Sequence, residues 1–245
     1  MRALALVVWG AAFGAEWVTL PAGEFVFGCK VEGDCADQKT ARREEIAKPL
    51  RMMTTEVTVA EFRRFVRQTG YKTEAEEKGE KWTWSRPRAY RLEDRQPVMY
   101  MTMRDAEDYC AHMGGRLPTE AEWSYAWHAG DPEQQGHLFR NTDGRYVWYR
   151  ENAGAKPHEV ATRLPNAWGL YDMEGNAWEL TRIMPWQQGD PAGVARGGSW
   201  TSCRVIEGSP FVPPNGKDPS YGFSRCPVPA GLVRDNIGFR CVKAP

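Results

Sequence analysis

An α+β fold, built as one domain with much irregular backbone, is the class this sequence predicts. Three observations carry it. Capped helical patterns are confined to the first half of the chain, and short strand-like runs with turn residues follow; that segregation marks α+β rather than an alternating α/β plan. The chain has 245 residues, which suits one large domain able to bury a core without covalent staples. Its 24 glycines and 17 prolines argue for extensive loops and turns, and its 11 tryptophans for a layered core or an aromatic binding surface.

The elements follow in chain order. Arg2, the apolar run ALALVVWGAAF and the small residues Gly14 and Ala15 have the pattern of a signal peptide, too short to span a bilayer. Residues 1–15 are therefore read as a signal peptide and 16–245 as an exported domain, periplasmic or secreted. Residues 17–28 alternate and are rich in β-branched and aromatic types, predicting a strand or short hairpin about a Pro-Ala-Gly turn. A polar surface loop follows, holding Cys29 and Cys35.

Thr58 and Glu61 form a capping box, with Val59, Phe62 and Val66 on one helical face and Gly70 as the stop. The charged segment from Lys72 to Pro97 reads as a long surface loop. A second helix starts after Thr102, buries Met103, Ala106, Cys110 and Met113, and ends at Gly114-Gly115. A third is capped by Thr119 and Glu122 and turns Trp123, Ala126 and Trp127 inward. Beyond about residue 137 no long helix is predicted, only short strands and turns. There is no internal repeat.

Charge excludes some partners. Lys+Arg and Asp+Glu are both 32, so the sequence gives no electrostatic basis for nucleic acid as the partner. No run of 18 apolar residues follows the N-terminus, so no membrane span is predicted in the mature chain. The six cysteines form no Cys-x-x-Cys pair, and His112, His128, His137 and His158 lack metal-ligand spacing. In an oxidising compartment an even cysteine count suggests up to three disulfides, with connectivity left open by sequence.

Three stretches are more specific: GGRLPTEAEWSYA, PNAWGLYDMEGNAWEL and RGGSW followed by NIGFRC. With EVTVAEFRRFVRQTGY and PVMYMTMRDAEDYC, they resemble the formylglycine-generating-enzyme (sulfatase-modifying-factor) family, in order along nearly all of the mature chain. The resemblance implies a C-type-lectin-like core. It also implies a choice of functions: copper oxidases that act on a sulfatase Cys or Ser, sulfoxide synthases, siderophore-maturing oxidases, or ligand-displaying variable proteins of diversity-generating retroelements.

Site residues carried over by that resemblance begin with calcium. The side chains of Asp172 and Glu179, with the carbonyls of Gly175 and Ala177, match a turn that holds Ca²⁺, a hard ion served by oxygen ligands. The family pairing implies a Cys110–Cys241 disulfide, and Cys29 and Cys35, in one loop, are read as partners. Ser199 matches the family's active-site serine and Trp178 a pocket tryptophan. The copper pair, Cys-x4-Cys, is missing: Cys203 stands one residue late and the next cysteine is Cys226. Typical formylglycine-generating activity is thus not expected. The preferred reading is a non-catalytic binding or accessory protein displaying residues 201–234, where Phe211, Tyr221 and Phe223 would contact a protein or small-molecule ligand and Cys203 would pair with Cys226. The alternative is a copper-dependent oxidase of a peptide or thiol, using Cys203, Cys226, Ser199 and Trp178.

Overall fold

A computed structural model describes residues 15–28, 41–130, 144–183, 193–201, 225–229 and 231–245. The predicted leader up to residue 14, Cys29, Cys35, His137, Cys203, Phe211, Tyr221 and Phe223 lie outside the described residues. The strands are β1 (Trp17–Leu20), β2 (Gly23–Phe27), β3 (Arg42–Ile46), β4 (Leu50–Met53), β5 (Trp178–Thr181), β6 (Gly193–Arg196), β7 (Arg225–Val228), β8 (Ile237–Gly238) and β9 (Val242–Lys243). Between β4 and β5 run the helices α1 (Val59–Thr69), α2 (Glu74–Glu77), α3 (Met103–His112) and α4 (Glu120–His128). No helix among the described residues is long and apolar enough to cross a membrane.

Three sheets, ordered β1-β4-β9, β2-β3 and β7-β6-β5-β8, hold the strands. All pairings are antiparallel except β5 with β8. The early strand segment differs from the hairpin option. β1 pairs with β4 and β2 with β3, so the Pro21-Ala22 corner passes the chain from one sheet to another. Proline supplies no N–H to a ladder, which makes the corner a natural place to leave a sheet.

Each helix begins with the same device. Thr58, Thr73, Thr102 and Thr119 accept the N–H of an acidic residue three positions on, and that residue's carboxylate reaches back to the cap. Two otherwise unpaired donors are thereby satisfied at each start. The Thr73 box corrects the reading of residues 72–97 as a plain surface loop: it starts α2, and Trp84 and Gln96 from the same segment are buried. Trp84 packs edge-on to Phe62 of α1 and donates to Glu76 at 3.1 Å.

The main core lies between α1, α3 and the larger sheet, around Phe62, Tyr109, Trp178 and Phe239. A second cluster sets Trp123 and Trp127 of α4 against Leu20, Met52 and Val242. Cys110 of α3 is bonded to Cys241, just before β9. That bond closes a separation of 131 residues and stabilises by about 2–4 kcal/mol, chiefly by restricting the unfolded chain.

Candidate functional site

The three motif stretches converge. In the turn before β5, Asp172 and Asn176 have positive φ of 54° each, and Gly175 one of 76°. A Cβ on Gly175 would stand 2.1 Å from the Trp148 carbonyl, so only glycine fits. Trp123 and Trp127, one turn apart on α4, each donate to this segment: Trp123 Nε1 to Glu179 at 2.7 Å and Trp127 Nε1 to Glu174 at 2.8 Å. Burial pushes the Glu174 carboxyl up to about 7 despite the Trp127 bond.

Glu179 also accepts two bonds from Arg240, from Nε and a terminal nitrogen, both at 2.7 Å. The same guanidinium donates to the carbonyls of Met53, Thr54 and Tyr171. Arg240 is thus the central polar tie of the domain, fully enclosed. Glu56, also fully enclosed, has no hydrogen-bond partner on either oxygen, and Asp172 has none on Oδ1. Burial, then the charges of Asp172 and Glu179, raise the Glu56 pKa, outweighing Arg240. Asp172 is pushed up to about 6, mainly by burial, while its Oδ2 accepts from the Ala161 N–H at 2.7 Å.

These facts bear on the calcium residues. Asp172 offers a buried, uncommitted oxygen of the kind a hard cation takes. Glu179 has both oxygens engaged, so it acts first as the Arg240 anchor. No group of three or more His, Cys, Asp or Glu side chains among the described residues is arranged to hold a metal ion.

RGGSW forms the exit from β6. Gly197 and Gly198 have φ of 93° and 79°, and a Cβ on Gly197 would press on Trp123 and on the Met173 carbonyl at 3.0 Å. Ser199 is enclosed; its hydroxyl donates to the Thr201 carbonyl at 2.9 Å and accepts the Thr201 N–H at 3.2 Å. Asn236 Nδ2 donates to Thr201 Oγ1 at 2.7 Å and approaches Ser199 Oγ at 3.4 Å. Among the described residues no base touches Ser199, so its hydroxyl builds the loop. Trp178 is likewise fully buried in the main core. Cys226, on β7 opposite Ala195, is buried and disulfide-bonded, with its partner outside the described residues. The oxidase alternative needs Cys226 as a free thiol, and in this oxidised state it is not one.

The open cavity of the site lies beside these residues, with a volume near 420 Å³. Arg150, Trp200, Thr201, Arg234, Asp235 and Asn236 line it. Trp200 meets the ring of Tyr90 edge-on at 6.2 Å. Burial, then Tyr100 and the Asp235 carboxylate, raise the Tyr90 pKa. The displayed region read from the sequence, 201–234, includes Thr201 and Arg234 of this lining, though it singled out neither, and it does not reach Arg150. Asn236 opens the quoted NIGFRC motif and Arg234 stands two residues before it, a usable signal; Arg150 sits in a turn-rich stretch with none.

The α+β fold and the motif stretches that build this site define a formylglycine-generating-enzyme-like domain. The chain belongs to that family: the model of the sulfatase-modifying factor enzyme 1-like domain matches residues 11–245. It is 28% identical over 279 aligned positions to inactive C-alpha-formylglycine-generating enzyme 2 of Mus musculus, covering 96% of this chain and 88% of that protein. It is also 28% identical to the formylglycine-generating enzyme of Streptomyces coelicolor, covering 91% and 88%. The fold is shared with PvdO from Pseudomonas aeruginosa (TM-score 0.72, 23% identity, covering 94% and 95%). Treponema denticola variable protein 1 also shares it (TM-score 0.67, 21% identity, covering 94% and 95%).

Proposed function

We propose that this chain is an exported, non-catalytic binding or accessory domain that presents the cavity at Trp200 and the 201–234 region to a ligand. The disulfide-bonded state of Cys226 carries the reading, because it withholds the second thiolate that a copper pair would need. The loop-building role of Ser199 supports it. So do the relatives: one is named an inactive enzyme, and one structural neighbour a variable protein. Calcium belongs to the same proposal, held by Asp172 with the carbonyls of Gly175 and Ala177. There it would brace the turn under the rim; adding a chelator should then lower the melting temperature.

Alkylation of the native protein followed by mass mapping tests the central claim. Cys203 and Cys226 should label only after reduction. If both label in native protein, and the protein then binds Cu(I), the copper-oxidase reading replaces this one.

A further inference from the structure

Residues 81–91, KWTWSRPRAYR, carry four basic side chains, Lys81, Arg86, Arg88 and Arg91, and no acidic one. The whole sequence balances 32 basic against 32 acidic residues, so this charge is local. All four basic residues are exposed. Among the described residues none of the four is in an ion pair, and the side chains of Arg88 and Arg91 make no hydrogen bond. Lys81 Nζ lies over the Trp82 ring at 4.8 Å. Arg86 donates to two carbonyls, of Lys81 at 2.8 Å and Glu80 at 3.2 Å, which leaves its charge unmatched. The acids closest in sequence, Glu80, Glu93 and Asp94, stand outside the segment, and Asp94 is held by Arg63.

The backbone under these charges is fixed. Thr83 and Arg86 exchange two backbone bonds, at 3.3 and 3.0 Å. The Arg88 N–H donates to the Tyr100 hydroxyl at 3.0 Å. Trp84 is buried against Phe62, and Tyr90 meets Trp200 edge-on at 6.2 Å. The segment thus runs from the main core to the rim of the cavity, with its rings packed on the domain and its cations in solvent. A surface whose frame is already ordered loses little entropy when a partner docks.

We propose that residues 81–91 form a docking surface for an acidic segment of a partner protein. A guanidinium fork matches a carboxylate with two parallel bonds, and those of Arg88 and Arg91 are uncommitted. An anionic partner would also relieve the mutual repulsion of the four cations. A bilayer fits less well, because the large apolar side chains of the segment, Trp82, Trp84 and Tyr90, pack against the domain. Nucleic acid fits less well too, since four charges on a neutral chain supply little of the attraction that polyphosphate binding uses. None of the four cations lines the cavity, so this inference stands apart from what the cavity binds.

The test is fluorescence anisotropy of the full folded protein with a labelled peptide of about eight alternating Asp and Glu residues, long enough to lie along the segment. The peptide should bind at low salt and about tenfold more weakly in about 0.5 M salt. Arg88→Gln combined with Arg91→Gln should weaken binding about tenfold and leave the melting temperature unchanged, because neither side chain has a partner to lose. Arg43→Gln combined with Lys48→Gln removes the same charge from another exposed place and should change affinity by no more than about twofold. Equal losses in the two double variants would reduce the effect to net charge and overturn the docking surface, as would failure of the peptide to bind. Vesicles of phosphatidylglycerol or a single-stranded oligonucleotide, added as competitors, should displace the peptide only weakly. Tighter binding by either, lost in the Arg88 and Arg91 double variant, overturns the acidic-protein assignment. None of these outcomes bears on the cysteine mapping or on the cavity.

Discussion

Two arginine–glutamate forks in this molecule have nearly the same bond lengths and opposite surroundings. Arg240 grips Glu179 with two bonds of 2.7 Å, and both side chains are sealed, at 0% and 1% exposure. Arg116 grips Glu122 at 2.7 and 2.6 Å, but with 44% and 13% exposure. A buried charge that loses its partner has no water to fall back on, whereas an exposed one does. The same pair of residue types is therefore part of the framework in one place and a local trim in the other. Glu56 sharpens the contrast, since it is as buried as Glu179 and neither of its oxygens has a hydrogen-bond partner among the described residues.

Breaking the buried fork should give the largest effect. Arg240→Met leaves the Glu179 charge uncompensated and withdraws donors from the carbonyls of Met53, Thr54 and Tyr171. A loss of about 3–5 kcal/mol in denaturant unfolding is expected. Adding Glu179→Met should recover only part of it, because the carbonyls stay short of donors. Full recovery in the double variant would mean that the ion pair alone, not the carbonyl clasp, is what Arg240 supplies.

Local spacing places Glu122, one end of the exposed fork, in its capping box, but the sequence names neither arginine partner. Thr119 and Glu122 are read directly from local spacing, because a capping box is a contact within four residues. Glu179 and Arg240 are 61 residues apart, and their pairing is a product of the parallel β5–β8 contact. Their motifs could be quoted, but no periodicity says which side chains meet. The same limit applies to β1 and β2, whose strand character is local while their partners, β4 and β3, lie across loops. The site divides likewise. Ser199 and Trp178, taken from the family resemblance, are both enclosed. Arg150 and Arg234, which line the cavity, come together only through tertiary packing.

Glu56 gives a middle-sized effect of the opposite sign. Its folded pKa is raised, chiefly by burial, so the native state holds the proton more tightly than the unfolded chain. Its contribution is then fully present below the ordinary value of 4.5 and is lost as pH rises through the raised one. Glu56→Gln copies the protonated acid and does not titrate. Melting curves from pH 5 to pH 9 should show the variant gaining on the parent as pH rises, by about 1–3 kcal/mol at the alkaline end. A variant less stable than the parent at every pH would show that a bound cation, not a proton, balances Glu56.

The smallest effect belongs to the exposed fork. Burial alone would raise the Glu122 pKa, yet Arg116 and the Thr119 N–H more than offset it and leave it lowered. Its stabilisation is thus present above the ordinary value of 4.5 and fades as pH falls through the lowered one. Arg116→Gln should cost about 0.5–1 kcal/mol near neutrality. That gap should close in acid and shrink again in about 1 M salt, where the screening length is near 3 Å. The Arg240→Met deficit should be nearly indifferent to salt, because ions cannot enter a sealed pair. A salt response of equal size at both forks would erase the distinction between them.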